Sequence, residues 1–154
     1  HFTSREAQLA LQASPNAAAK ALARLIRHGS LASPERGFYV VVPPEYRSLG
    51  CLPAEQFVPG LMETHGLAYY AALLSAAQFH GAAHHRPQQF QVMLAKNRRP
   101  IECGKVRVAF VARKRVDEVP VITLNTPRGP LRVSTPEATA VDLVGYADHA
   151  GGLD

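Results

Sequence analysis

The stretch Pro15–Gly29, PNAAAKALARLIRHG, constrains this chain more than any other. Pro15 suits the first position of a helix, where its missing N–H has no intrahelical partner to lose. Ser14 just before it can cap, its hydroxyl accepting from a free N–H of the first turn. Gly29 is a natural stop after the last turn. At about 100° per residue the side chains sort into two faces. Asn16, Lys20, Arg24 and Arg27 share one stripe, about 80° wide. Ala18, Ala21, Leu22, Leu25 and Ile26 lie opposite, on a face expected to meet a core. A narrow helix with a stripe of Asn, Lys and Arg is what the DNA major groove admits and what base edges and phosphates bind. A merely solvated helix carries similar stripes, so the neighbouring segments decide.

Upstream, Phe2-Thr3-Ser4-Arg5-Glu6 reads as a helix start, with Thr3 or Ser4 as cap and Glu6 completing a capping box with Thr3. A short helix then runs to about Leu11, and QASPN is a connection of the length a helix-turn-helix uses. Downstream, Leu31–Val42 reads as strand, turn, strand. Its Ser33-Pro34-Glu35-Arg36-Gly37 tip is rich in turn formers, and Phe38–Val42 is strongly β-prone. Helix, turn, helix, β-hairpin is the winged form of the motif. Ser14, Asn16, Lys20, Arg24 and Arg27 are the expected DNA-facing set, with Arg36 near a phosphate at the wing tip. Residues 1–44 are expected to form this module, closed by Pro43-Pro44, which cannot continue a strand. The chain starts at what would be the module's second helix, so the first helix is expected to be missing.

The chain has 154 residues, enough for one medium domain or two small ones. Its apolar fraction of 47% is that of a globular protein. No apolar run approaches the ~18 residues a membrane helix needs, and HFTSREAQ lacks the pattern of a signal peptide. Cys51 and Cys103 make no disulfide framework; they read as half-buried thiols, and a reducing cytoplasm is the simplest home. The net charge of +5 favours an acidic polymer as partner.

Residues 45–53 read as a linker and 54–154 as a second unit, expected to be truncated at its C-terminus. Ala54–His65 is expected to be helical, although Pro59 inside it would remove a hydrogen bond. Leu67–His80 reads as a helix that is apolar nearly all round and therefore buried. From Gln88 the period shortens to two: QFQVMLAK (89–96), VRVAFVAR (106–113), Val121–Leu124 and Leu131–Val133 read as strands. Thr135-Pro136-Glu137 opens a last helix, with Ala138, Val141, Leu143 and Val144 expected against the sheet. The fold class is α+β: an incomplete winged helix-turn-helix, then an α+β domain with a mostly antiparallel sheet.

YYAALLSAAQFHGAAHHRPQQFQVMLAKNRRPIECGKVRVAF followed by STPEATAVDLV resembles the AbiEi family of antitoxins, from type IV toxin–antitoxin and abortive-infection operons. The matching elements are the Tyr-Tyr segment ending in His80-Gly81, the Pro87-Gln88 entry into a strand, the Arg99-Pro100 turn, and Ser134–Ala140. The resemblance implies a winged helix-turn-helix followed by an antitoxin domain. It implies a repressor that binds inverted repeats in its own operator and counters a nucleotidyltransferase-type toxin, without needing a stable complex with it. It assigns the DNA role to Asn16, Lys20, Arg24 and Arg27, and assigns the antitoxin role to no residue.

Residues 86–115 hold Arg86, Lys96, Arg98, Arg99, Lys105, Arg107, Arg113, Lys114 and Arg115 against one acid, Glu102. This reads either as a second surface for nucleic acid or an acidic partner, or as a solvated sheet face. His80 and His84 are four apart, but Gly81 is expected to end the helix between them, and a zinc site needs more. No metal or other cofactor is expected. No residue pattern supports catalysis: Ser75 lacks a nucleophile-elbow pattern, and Glu102 with Lys105 lacks the carboxylates a metal-dependent nuclease needs. Two other readings stay open. One is a regulator whose second domain binds an effector or a protein, with no toxin. The other is a nucleic-acid enzyme targeted by the winged module.

Overall fold

A computed structural model describes residues 1–150 of the chain, so the last four residues of the expected 54–154 unit lie outside the described residues. The first helix, α1 (Ser4–Leu11), starts at a reciprocal cap. Thr3 Oγ1 accepts from Glu6 N–H at 3.3 Å, and the Glu6 carboxylate accepts from Thr3 N–H at 2.6 Å. Gln12, at φ +48°, ends it. The second, α2 (Pro15–Arg27), has Pro15 at its first turn and Ser14 as its cap, accepting from Ala17 N–H at 3.2 Å. Strands β1 (Phe2–Thr3), β2 (Leu31–Glu35) and β3 (Phe38–Val41) form an antiparallel sheet in the order β1-β3-β2. This is a winged helix-turn-helix, and Arg36-Gly37 turns the wing, with Gly37 at φ +81°. The β2/β3 register slips between Ala32 and Glu35. Pro34, with no N–H to offer a ladder, falls in that slip, and the Ser33 hydroxyl donates there to the carbonyls of Glu35 and Phe38.

The apolar face of α2 is only partly covered. Ala18 and Leu22 are buried, but Leu25 and Ile26 are exposed, against expectation. The reason is the size of what lies beneath: Ala7, Leu22 and Leu31, flanked by Phe2 and Tyr39, make a cluster too small to reach the last turn.

The second sheet has six strands in the order β6-β7-β5-β4-β9-β8. They are β4 (Tyr69–Ala71), β5 (Phe90–Leu94), β6 (Ile101–Cys103), β7 (Val106–Ala112), β8 (Val121–Thr126) and β9 (Gly129–Ser134). The sheet is mixed: β5/β7 and β4/β9 run parallel, and the other three pairs antiparallel. Helices α3 (Ala54–His65), α4 (Leu73–Phe79) and α5 (Pro136–Gly145) complete an α+β fold. The expected helix over Leu67–His80 is a strand followed by a shorter helix. Tyr69 and Tyr70 are β-prone, and β4 fills the slot between β5 and β9, where its backbone bonds on both sides. Leu73 turns the chain from β4 into α4 at φ +53°. That geometry costs a leucine about 1–2 kcal/mol. Its complete burial contributes about 1.5–3 kcal/mol in return.

One core runs under both units. Phe38, Val40 and Val42 of the wing pack with Phe57, Leu61 and Met62 of α3 and with Val92, Val108 and Val133 of the sheet. The expected linker joins this core, since Cys51 and Leu52 are wholly buried. On α5 Thr139 and Asp142 are buried and Ala138 and Leu143 pack against the core as expected, while Val141 and Val144 are 66% and 69% exposed. The expected orientation is thus corrected for Val141 and Val144. Both inward polar side chains have buried partners that apolar ones could not replace: Thr139 Oγ1 bonds Ser134 Oγ at 2.7 Å, and Asp142 meets Tyr70 and Arg113.

Candidate nucleic-acid interface

Helix α2 has no acidic residue. Asn16, Lys20, Arg24 and Arg27 all lie exposed along it. Alanines 17, 21 and 23 stand between the cations and leave a shallow concavity there. Ser14 holds the helix start rather than projecting into the stripe. Arg36 is exposed at the wing turn. Among the described residues none of Lys20, Arg24, Arg27 and Arg36 forms an ion pair. Their charges are therefore free for phosphates, each of which replaces a condensed counterion when bound.

The second basic set divides. Arg86, Lys96, Arg99, Lys105, Arg107, Lys114 and Arg115 are exposed, as a binding surface requires. Arg98 and Arg113 are not part of that surface. Arg98 forms an ion pair with Glu35 of β2 and lies 5.5 Å above the Phe110 ring. Glu35 also meets His65 Nε2 of α3 at 2.8 Å, so the wing strand is clasped from two sides. Arg113 forms an ion pair with Asp142, which is 1% exposed. The Tyr70 hydroxyl donates to the same carboxylate at 2.9 Å and accepts from Arg113 Nη1 at 3.2 Å. Burial pushes the Tyr70 phenol above its ordinary value, and the Arg113 charge opposes that rise. Both arginines were expected outside because their sequence neighbours are basic. A single acid elsewhere in the chain turns each of them inward.

Three of the exposed cations, Arg86, Lys105 and Arg107, share a cavity of about 260 Å³ with Phe79 and Phe90. The two rings meet edge to face at 6.4 Å. In the sequence Phe79 reads only as one apolar residue of the expected buried helix, two residues before Gly81. His80 Nε2 is engaged by the Ser134 carbonyl at 2.7 Å, and His84 and His85 are exposed.

The profile of the AbiEi antitoxin C-terminal domain matches residues 70–154, more than half of the chain. The chain belongs to the AbiEi antitoxin family. No curated protein matches it. The AbiEi domain begins inside β4 and takes in the Arg113–Asp142–Tyr70 cluster, all nine basic residues of 86–115, and Phe79 and Phe90, while Leu49 and Pro53–Glu55 on the other side of the cavity precede it. The match supports an antitoxin role in a toxin–antitoxin system. The winged helix-turn-helix precedes the matched residues.

Proposed function

We propose that this AbiEi antitoxin represses its own operon, binding operator DNA through α2 and the wing, and counters a nucleotidyltransferase-type toxin. The observation that carries the DNA half is the acid-free, unpaired stripe of Asn16, Lys20, Arg24 and Arg27 on a winged helix-turn-helix. Lys20, Arg24, Arg27 and Arg36 supply phosphate contacts, and Asn16, in the first turn, reaches base edges. The exposed cations of 86–115 form a second face for nucleic acid or an acidic partner. The protein acts by binding rather than catalysis and works where the DNA is, in the cytoplasm. Among the described residues no helix is long and apolar enough to cross a membrane.

The test is fluorescence anisotropy on the DNA upstream of the gene, at several salt concentrations, with Lys20→Ala/Arg24→Ala as control. Four phosphate contacts predict a log–log salt slope of about −3.6, a loss of about two orders of magnitude in affinity between 50 and 200 mM salt. Equal binding by the control would sink the repressor reading. The cavity beside Phe79 and Phe90 favours a second reading, a regulator whose antitoxin domain also takes an effector. Toxin rescue by the chain in cells, retained when that cavity is filled by Ser75→Phe, would set that reading aside.

A further inference from the structure

Cys51 and Cys103 are far apart in the sequence and meet in the fold. The segment leading into α3 runs antiparallel to the turn between β6 and β7. Lys105 N–H donates to the Leu49 carbonyl at 2.8 Å. A Cβ built on Gly50 would lie 3.2 Å from Gly104 Cα, and one built on Gly104 would lie 2.1 Å from the Leu49 oxygen. Only glycine lets the two backbones come this close. With 49 against 105 and 50 against 104, the register places Cys51 directly opposite Cys103. Opposed residues in antiparallel chains have Cα atoms about 4.5–5.5 Å apart, inside the span of about 4.4–6.8 Å that a disulfide bridges. The side chains converge as well. The two thiols are close enough to act on each other's ionisation, and the Ser33 backbone of β2 acts on that of Cys103. Cys51 is 0% exposed and Cys103 8%.

We infer that Cys51 and Cys103 are a reversible oxidation site, closed to a disulfide by a small peroxide, at the seam where the wing meets the antitoxin domain. Cys103, the less buried of the two, attacks first. Its thiolate forms an S–O bond as the peroxide O–O bond breaks and hydroxide leaves, giving a sulfenic acid. The Cys51 sulfur then attacks the Cys103 sulfur. The S–S bond forms, the S–O bond breaks, and the Cys51 proton leaves with the oxygen as water. Two thiols lose two electrons, and one peroxide becomes two waters. The local chemistry assigns the same roles. The Cys51 thiol and the Ser33 backbone hold the Cys103 thiol below its ordinary value, whereas the Cys103 sulfur, together with burial, pushes Cys51 up. The bridge welds the segment before α3 to β6, next to Ser33 of the wing. It depends neither on DNA contact nor on a toxin.

The experiment uses the reduced full chain and one to two equivalents of hydrogen peroxide, read by intact mass, thiol titration in denaturant and thermal unfolding. The expected product has lost about 2 Da and both thiols, runs as a monomer on a non-reducing gel, and returns to the starting state with dithiothreitol. Closing a loop of about 50 residues is expected to raise Tm by about 10 °C. In Cys51→Ser the oxidised chain instead gains about 16 Da at Cys103, trapped by a dione reagent. Two free thiols after a dose that oxidises glutathione fully would overturn the inference. So would a disulfide between chains, or an intramolecular bridge that lowers Tm. Should the serine variant not fold, the mass and thiol count of the unaltered chain decide.

Discussion

Replacing Asp142 by alanine tests whether Arg113 belongs to the core or to the basic surface. Asp142 is 1% exposed and serves two donors, Arg113 and the Tyr70 hydroxyl. Removing one member of a buried ion pair costs about 3–5 kcal/mol, because the other is left charged without a partner. Here the Arg113 side chain keeps 25% exposure and can turn part of its charge to water, so the lower end applies, about 3 kcal/mol. That is a large share of the roughly 5–15 kcal/mol that holds a domain folded. With an m-value of about 2 kcal/mol/M, the urea midpoint followed by far-UV circular dichroism falls by about 1.5 M. Arg113→Ala should cost at least as much, since the carboxylate it abandons has no route to solvent. Its effect on the DNA salt slope should be nil. The pair Arg113→Met/Asp142→Leu should recover most of the loss, as apolar replacements of buried pairs do. A cost below about 1 kcal/mol for Asp142→Ala, or a salt slope shallower by about one in Arg113→Ala, would refute the assignment.

Arg98→Ala releases Glu35 of the wing from one of its two holds; a partly buried pair of this kind is expected to contribute about 1 kcal/mol, checked by thermal unfolding, while Arg99→Ala leaves Tm unchanged. Ser14→Ala strips the cap from α2 and should cost about 1 kcal/mol, with a matching loss in operator affinity if α2 is the reading helix. The Thr3 N–H, and then its hydroxyl, hold the Glu6 carboxyl below its ordinary value. A lowered carboxylate contributes stability that is complete above the ordinary value and lost as pH falls through the lowered one. The helical signal of the unaltered chain should therefore drop more than that of Glu6→Gln as pH falls below about 4; parallel curves would remove the capping box from the account.

What was legible in the sequence was local. Thr3 with Glu6, Ser14 with Pro15, and Gly37 at the wing each act within four residues, and each does in the fold what its spacing suggests. The exposure of Asn16, Lys20, Arg24 and Arg27 follows from the helical period alone. Features fixed by distant partners were not legible. Tyr69–Ala71 is a strand because β5 and β9 flank it, and β9 lies some sixty residues on. Val141 and Val144 face out because Asp142 answers Arg113. Arg98 leaves the basic surface because of Glu35 in the wing, and two cysteines with no paired spacing become neighbours through a glycine-lined crossing. In each case a long-range polar or backbone pairing outweighs the hydrophobic period of the segment.

Strand β3 belongs to two cores at once. Phe38 and Val40 point into the core shared with α3 and the six-stranded sheet, while Tyr39 packs under α1 and α2 with Phe2. Because side chains alternate along a strand, Phe38 and Val40 answer to the antitoxin domain and Tyr39 to the cluster under α1 and α2, while Val41 is exposed. A substitution at Tyr39 therefore acts on the helix pair, and one at Phe38 or Val40 on the shared core. A single inserted or deleted residue there would exchange the two sets and unseat both halves together.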